Sequence, residues 1–533
     1  MRSLLLLAVV VGTTSVAQRS ATAGDAPSTT VITHGFQLFT TSKPGWMQDM
    51  GEEILLAAGG QGAVLRYVPA TGQWQQAAGN ASSADAPLVL LFNWADESDG
   101  ATLPGTNIGY AEAAADALYA ALRAPGGVLP FDAVAGRTVH FIGHSRGCCV
   151  NSEVVRRLAN AALPVDQVTT LDPHPVAPPM AESCGLGGGL NWGDQVPVRW
   201  SNVAFADNYW RADTGLAGSC HDCDFDGMVL PAAQVYNVSL AAALGEAGTD
   251  TDDCLLGCRL EHSKTHTWYH GTIAGAASDV DCAVNSSGTW YSSAEAGCSA
   301  WTCAGYAHSA VRGGARPALS PGTAPTPADV LYNGAFDRSY AGWGYHGGSG
   351  AATVVLESGT SNSYLRLEPT KPSRRHNRFY LPRNAVAVQL DTRVFTASAD
   401  DVLQVRMVDS AGTVRTVGSL PLTAVTAGWV TSPVLPLGAD VPRGVAMQLE
   451  LALASPVGSL TAVAGADSIV IQTAGAENPL GDLNADGVVD GTDLGLLLGS
   501  WGPCAAQPCT ADLSSDGLVD GTDLGLLLGA WTG

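Results

Sequence analysis

The chain has 533 residues, too many for one ordinary domain, so two to four domains are expected. Its formal net charge of −23 at pH 7 argues against nucleic acid or anionic membranes as partners. Twelve cysteines suit an oxidising compartment, where disulfides persist.

At the start, Arg2 precedes an apolar run from Leu4 to Val11, and both Ser15-Val16-Ala17 and Ala21-Thr22-Ala23 suit a signal peptidase. Residues 1–23 are read as a signal peptide, and the protein as secreted or held at an extracellular surface. No later segment approaches twenty uninterrupted apolar residues, so no transmembrane segment is expected. Residues from about 29 to 280 alternate β-rich and helix-period runs, the pattern of an α/β domain with a mainly parallel sheet and flanking helices, and the domain is bounded at 24–310. Strands are expected over 30–33, 88–93, 138–142 and 168–171, and crossover helices over 111–123 and 151–162. Residues 183–253 are read as an irregular insertion over the active-site end of the sheet. Disulfides are expected among Cys184, Cys220, Cys223, Cys254, Cys258, Cys282, Cys298 and Cys303, whereas the adjacent Cys148 and Cys149 are read as small buried residues.

The pentapeptide Gly143-His144-Ser145-Arg146-Gly147 sits between a predicted strand and a predicted helix. A serine lifted on so sharp a turn needs glycine two residues to either side, since side chains there would meet neighbouring backbone. Serine chemistry also needs a base, an orienting acid and donors for the oxyanion. Asp172, in Leu171-Asp172-Pro173, ends the next strand, where a carboxylate can fix the tautomer of an imidazole. Three histidines follow at four-residue spacing: His262, His266 and His270. His-Glu-x-x-His is absent, so a zinc helix is discounted. His262 stands at the start of its helix and is taken as the base, with His266 second and His270 structural.

These motifs resemble, in order over most of residues 24–310, the α/β-hydrolase fold lipases of the pancreatic-lipase type. The matches are His34-Gly35-Phe36, Asn93-Trp94, Ser145 in its elbow, Leu171-Asp172-Pro173, and His262 with Cys258 upstream and Tyr269, Thr272 and Ile273 downstream. The resemblance implies a Ser145 nucleophile, a His262 general base then acid, an Asp172 orienter, and an oxyanion hole from the backbone N–H groups of Phe36 and Arg146. It implies an acyl-enzyme with no catalytic cofactor. Arg146 departs from the family, which has an apolar residue there.

Residues 311–328, rich in proline, glycine and alanine, are read as a linker. Residues 329–476 show strand alternation and are read as a jelly-roll-like β-sandwich. Its opening, Asn333-Gly334-Ala335-Phe336 then Gly342-Trp343, resembles carbohydrate-binding modules, beside the alternative of a structural sandwich with Trp343 buried.

Residues 477–533 hold an internal repeat. Two twelve-residue loops offer oxygens from Asp482, Asn484, Asp486, Val488 (backbone), Asp490 and Asp493, and from Asp512, Ser514, Asp516, Leu518 (backbone), Asp520 and Asp523. Hard oxygens around a glycine-turned loop suit Ca²⁺, so two Ca²⁺ sites are expected. The pair resembles an EF-hand-like type I dockerin, which implies a small α-helical module and a cohesin-like scaffold protein as partner. The combined expectation is a secreted esterase or lipase acting on lipid or acylated polysaccharide. The alternatives are a polysaccharide esterase proper and a non-catalytic surface attachment protein.

Overall fold

The computed structural model describes residues 27–37, 40–80, 85–98, 109–124, 126–129, 131–177, 191–211, 227–244, 260–279, 284–291, 304–309, 315–344, 348–475, 479–484, 488–504, 509–514 and 517–531. The leader over 1–23 and Cys184, Cys220, Cys223, Cys254, Cys258, Cys282, Cys298 and Cys303 lie outside the described residues. The chain is multidomain and rich in sheet. Eight strands form one sheet: β1 (Ser28–Thr33), β2 (Ala63–Val68), β3 (Gln73–Gly79), β4 (Leu88–Phe92), β5 (Thr138–His144), β6 (Val165–Leu171), β7 (Val203–Trp210) and β8 (Tyr236–Ser239). Their order is β3-β2-β4-β1-β5-β6-β7-β8, and every pairing is parallel except β2 with β3.

Interior strands such as β4 (Leu88-Val89-Leu90-Leu91-Phe92) are buried at every residue, as strands covered on both faces require. The cover comes from α1 (Trp46–Ala57), α2 (Ala95–Ser98), α3 (Tyr110–Arg123), α4 (Gly147–Asn160), α5 (Ala241–Leu244) and α6 (Leu260–Ala274). Alternate strand residues serve opposite faces. Val31, Leu90 and Phe141 pack with Leu118, Val150 and Val154, while Ile32, Leu91 and Ile142 pack with Met50, Ile54 and Trp268. One expectation is corrected here: residues 183–253 are not all irregular, because β7 and β8 extend the sheet within them. Asp207 and Asn208 disguise β7, being polar yet buried. Asp207 accepts hydrogen bonds from Thr169 Oγ1 and Tyr209 Oη, and Asn208 accepts one from Thr170 Oγ1.

The second unit is a sandwich of two antiparallel sheets of six strands each. One centres on Val402–Asp409 and Val445–Ala454, the other on Ala385–Thr396 and Val463–Thr473. Their inner faces enclose Phe336, Trp343, Leu365, Val388, Val405 and Leu449. Trp343 is fully buried, its indole N–H donating to the Asn333 carbonyl at 3.0 Å, so this motif builds core.

Residues 315–328 lie pinned along the first unit. Ser201 N–H donates to Thr323 O and Thr323 N–H to Arg199 O, both at 2.8 Å, and Arg156 Nη1 donates to Pro327 O at 2.7 Å. The sandwich then closes over α3. Asn377 Nδ2 donates to Ala113 O at 2.9 Å, and Tyr380 meets Tyr119 edge-on with the Arg123 guanidinium over its ring. All residues of α3 are buried, which its alanine-rich sequence permits.

The last unit holds two short helices, Gly491–Gly499 and Gly521–Gly529, packed around Val489, Leu497, Val519 and Leu527. Cys504 and Cys509, between the repeats, are joined in a disulfide. Among the described residues, no helix is long and apolar enough to cross a membrane.

Candidate active site

Ser145 occupies the turn from β5 into α4 with φ of 56°, a left-handed conformation that costs a non-glycine residue about 1–3 kcal/mol. The flanking glycines are needed by contact. A Cβ on Gly143 would lie 2.9 Å from Cys148 Cα, and one on Gly147 would lie 2.4 Å from His34 O. The Ser145 N–H donates to Leu171 O at 2.9 Å, tying the turn to the end of β6. Directly behind it α4 begins, and the partial positive charge of its N-terminus favours an anion.

Asp172 follows β6, also left-handed (φ 48°) and fully buried. Its Oδ2 accepts from His262 Nδ1 at 2.7 Å and its Oδ1 from the Arg211 N–H at 2.9 Å. The first bond fixes the Nδ1–H tautomer of His262, which leaves Nε2 to carry the lone pair. Burial pushes the Asp172 carboxyl up to about 6, opposed by the Arg211 guanidinium 3.6 Å away. Gly227 lies against this carboxylate, since a Cβ there would fall 2.0 Å from Oδ1.

His262, in the first turn of α6, has its ring centroid 4.4 Å from that of His144, the residue before Ser145. His144 Nε2–H donates to His262 O at 3.1 Å. Burial, reinforced by His262, holds His144 well below the usual histidine value and so neutral. Ser145, Asp172 and His262 thus gather at the carboxyl ends of β5 and β6. The other histidines of α6 are buried away from Asp172. His266 stacks on Trp46 at 4.3 Å with Nε2 3.4 Å from Asp279, and burial pushes His270 down to about 4.

Gly35 lies against Ser145, because a Cβ there would lie 2.4 Å from Ser145 Cβ and 2.8 Å from Oγ. His34 Nε2 accepts from the Trp94 N–H at 3.2 Å, so its Nδ1–H donates to Gly35 O at 2.8 Å. In a trans peptide C=O and N–H point opposite ways, so this bond also sets the direction of the Phe36 N–H.

Arg146 is fully buried, its guanidinium forming a two-pronged pair with Asp194 at 2.6 and 2.7 Å. Cys148 and Cys149 are buried and form no disulfide, and burial raises both thiols, which keeps them protonated. Arg211, Gly227, Asp194 and Ser98 escaped the sequence reading, since they belong to no motif and reach the site by folding alone, and His144, though inside the pentapeptide, was given no role by it.

In the repeats, Asp493 and Asp523 are fully buried. Asp493 Oδ1 accepts from the N–H groups of Leu483 and Asn484, and Oδ2 from that of Asp490. Asp523 accepts likewise from Ser514 and Asp520. Burial works against ionisation of Asp493, yet these N–H groups hold it below the ordinary carboxylate value. The position-twelve carboxylate therefore closes each loop. Asp482, Asn484, Val488, Asp490, Asp512, Ser514, Leu518 and Asp520 are described, whereas Asp486 and Asp516 lie outside the described residues. The donor set is all oxygen and fits a hard cation. Asp512 also lies near Cys504 and Cys509, but a disulfide offers no thiolate, so that group is not a soft-metal site.

No protein-family model matches the chain, and no curated protein matches it. Among solved structures it is similar to TmCBM61 in complex with beta-1,4-galactotriose, at 15% identity over 28% of this chain and 100% of that one, TM-score 0.20. It is likewise similar to the C-terminal family 22 carbohydrate binding module of Clostridium thermocellum Xyn10B, at 18% identity over 28% and 99%, TM-score 0.20. A third is the K1 cleaved adhesin domain of Lys-gingipain from Porphyromonas gingivalis, at 14% identity over 25% and 92%, TM-score 0.19. At these scores the likenesses carry no argument about function.

Proposed function

We propose that this chain is an exported serine hydrolase of carboxylic esters, on an α/β-hydrolase fold. The observation that carries the reading is the 2.7 Å bond from His262 to buried Asp172, beside a serine in a left-handed strand-to-helix turn. In the proposed reaction His262 Nε2 takes the hydroxyl proton as Ser145 Oγ bonds to the ester carbon. The carbonyl electron pair moves onto oxygen, which the N–H groups of Phe36 and Arg146 receive. Collapse expels the alcohol, protonated by His262, and water then releases the acid by the same steps. Asp172 keeps the imidazole in the useful tautomer throughout.

A fluorophosphonate probe is expected to label Ser145 stoichiometrically, and p-nitrophenyl esters of graded chain length to report the acyl preference. Folded protein that takes no label and turns over no ester would leave the attachment-protein alternative standing. The repeats are proposed to hold two Ca²⁺ ions and to dock a cohesin-like partner.

A second reading changes only the substrate, to acylated polysaccharide. It is favoured by a ring cluster in the sandwich, where half-buried Phe395 and Trp429 meet buried Tyr364 at 5.6 and 5.1 Å. Retention of the whole protein on insoluble polysaccharide, reduced by Trp429→Ala, would support it. Equal elution of both proteins would count against it.

A further inference from the structure

We propose that the Arg146 side chain is a positioning residue that holds the two backbone donors of the oxyanion hole at a fixed spacing. The inference rests on the serine-hydrolase reading above. The donors, Phe36 N–H and Arg146 N–H, belong to segments far apart in the chain, brought together by the pairing of β1 with β5 and by the close packing of Gly35 on Ser145 and of Gly147 on His34 O. Two side-chain bridges add to this backbone packing, and both end on the guanidinium of Arg146.

The polar bridge runs through Ser98. Arg146 Nη1 donates to the Ser98 carbonyl at 3.1 Å, while Ser98 Oγ accepts from the N–H of Gln37, next to Phe36, at 3.0 Å. Ser98 Oγ–H in turn donates to Ala95 O at 3.0 Å, which aims its lone pairs toward Gln37. The aromatic bridge runs through Trp192. The ring of Phe36 stacks on it at 6.0 Å, and the guanidinium lies 4.6 Å from the same ring and 5.3 Å from that of Trp94. Trp94 closes the circuit, its indole N–H donating to His34 O at 2.7 Å.

Asp194 holds the guanidinium in place and also accepts from the Val176 N–H at 3.0 Å. A buried arginine costs several kcal/mol unless its donors are met, and here the carboxylate and a carbonyl meet them. An arginine so held is stiff. A donor displaced by about 1 Å loses on the order of a hundredfold in rate, and loss of one donor costs a similar factor. Substituting Arg146 removes the bridges and leaves its own backbone N–H, while Arg146→Met also strips buried Asp194 of its cation, so Ser98→Ala, which keeps that pair, isolates the spacing.

The experiment uses the full chain, with Arg146→Lys, Arg146→Met and Ser98→Ala assayed on one p-nitrophenyl ester. Binding of a trifluoromethyl ketone, which forms a reversible tetrahedral adduct on the serine, is measured alongside. Arg146→Lys and Arg146→Met are expected to lower kcat about 100-fold and Ser98→Ala about 10-fold, with KM within twofold. The ketone should weaken by the same factors, a parallel that loss of a mere structural anchor would not produce. Ser98→Ala keeps the Arg146–Asp194 pair and tests the idea even where the arginine variants fail to fold. Should KM rise while kcat and ketone affinity hold, the positioning role is overturned and the ester-hydrolase reading survives. If the unmodified protein neither turns over ester nor takes a phosphonate on Ser145, both fall together.

Discussion

Asp172 is ionised against the cost of its burial, and that balance predicts how activity depends on pH. With its carboxyl raised to about 6, the group is charged at pH 7 and orients His262. As pH falls through about 6 it takes up a proton, no longer offers a charged acceptor to His262 Nδ1–H, and turnover is expected to decline. The sign for stability is opposite: ionising Asp172 costs the folded state more than the unfolded one, so its contribution is fully favourable at low pH and fades toward pH 6. A kcat/KM profile flat down to pH 4.5 would contradict the assignment. Asp172→Asn, keeping the shape and losing the charge, is expected to lower kcat by roughly 10⁴ with ester binding little changed. His262→Ala should lower turnover at least as far, whereas His266→Ala should spare the chemistry. If His266→Ala abolished turnover and His262→Ala did not, the base would have been misassigned.

Glycines shape the elements around the site, and one supplies a sharp test. Gly35→Ala puts a methyl within 2.4 Å of Ser145 Cβ. We expect a folded protein with turnover down on the order of a hundredfold, since the nucleophile must shift. A circular-dichroism spectrum matching the parent, together with unaltered kcat, would refute that contact. Much of this part was legible in the sequence. An unbroken apolar run marked β4 and shorter β-rich runs marked β5 and β6 to within a few residues, and the Gly-Ser-Gly spacing located the turn between β5 and α4. The strands β2, β3, β7 and β8 and the helix α1 were not anticipated. In β7 the buried Asp207 and Asn208 are satisfied by partners on other strands, and hydrophobic periodicity cannot register partners not yet in place. The same blindness hid Arg211 and Asp194, whose roles exist only once β6, β7 and the 191–199 segment lie side by side. Proline and glycine in residues 311–328 suggested a linker, but composition does not reveal that its carbonyls would find Arg156 and Arg199.

At the scale of the whole molecule, the eight-stranded unit and the sandwich share α3. Asp116 on α3 pairs with Arg157 on α4 at 2.9 Å, and the chain entering the sandwich completes the group: Arg157 Nη1 also donates to Asp329 O, and Tyr332 N–H to Asp116. Arg157→Ala would leave Asp116 buried without its cation and is expected to cost about 3–5 kcal/mol. Calorimetry should show both units melting together in the parent, with the variant's transition lowered. Two well-separated transitions in the parent would show the shared helix to be no joint. The repeats form a small core of their own, from which Leu526 also reaches the core of the first unit, so removing the proposed Ca²⁺ with a chelator is expected to lower their melting temperature and to leave ester turnover within twofold. Loss of turnover on chelation would place an ion in the chemistry itself. The bond from Asn377 to Ala113 has a mechanical corollary. With the sandwich clamped rather than swinging on a leash, any solid it grips meets the serine at one constant offset. Hydrolysis on such a solid would then run in bursts, stalling when the esters under that footprint are spent and resuming only when the whole molecule lets go and lands elsewhere.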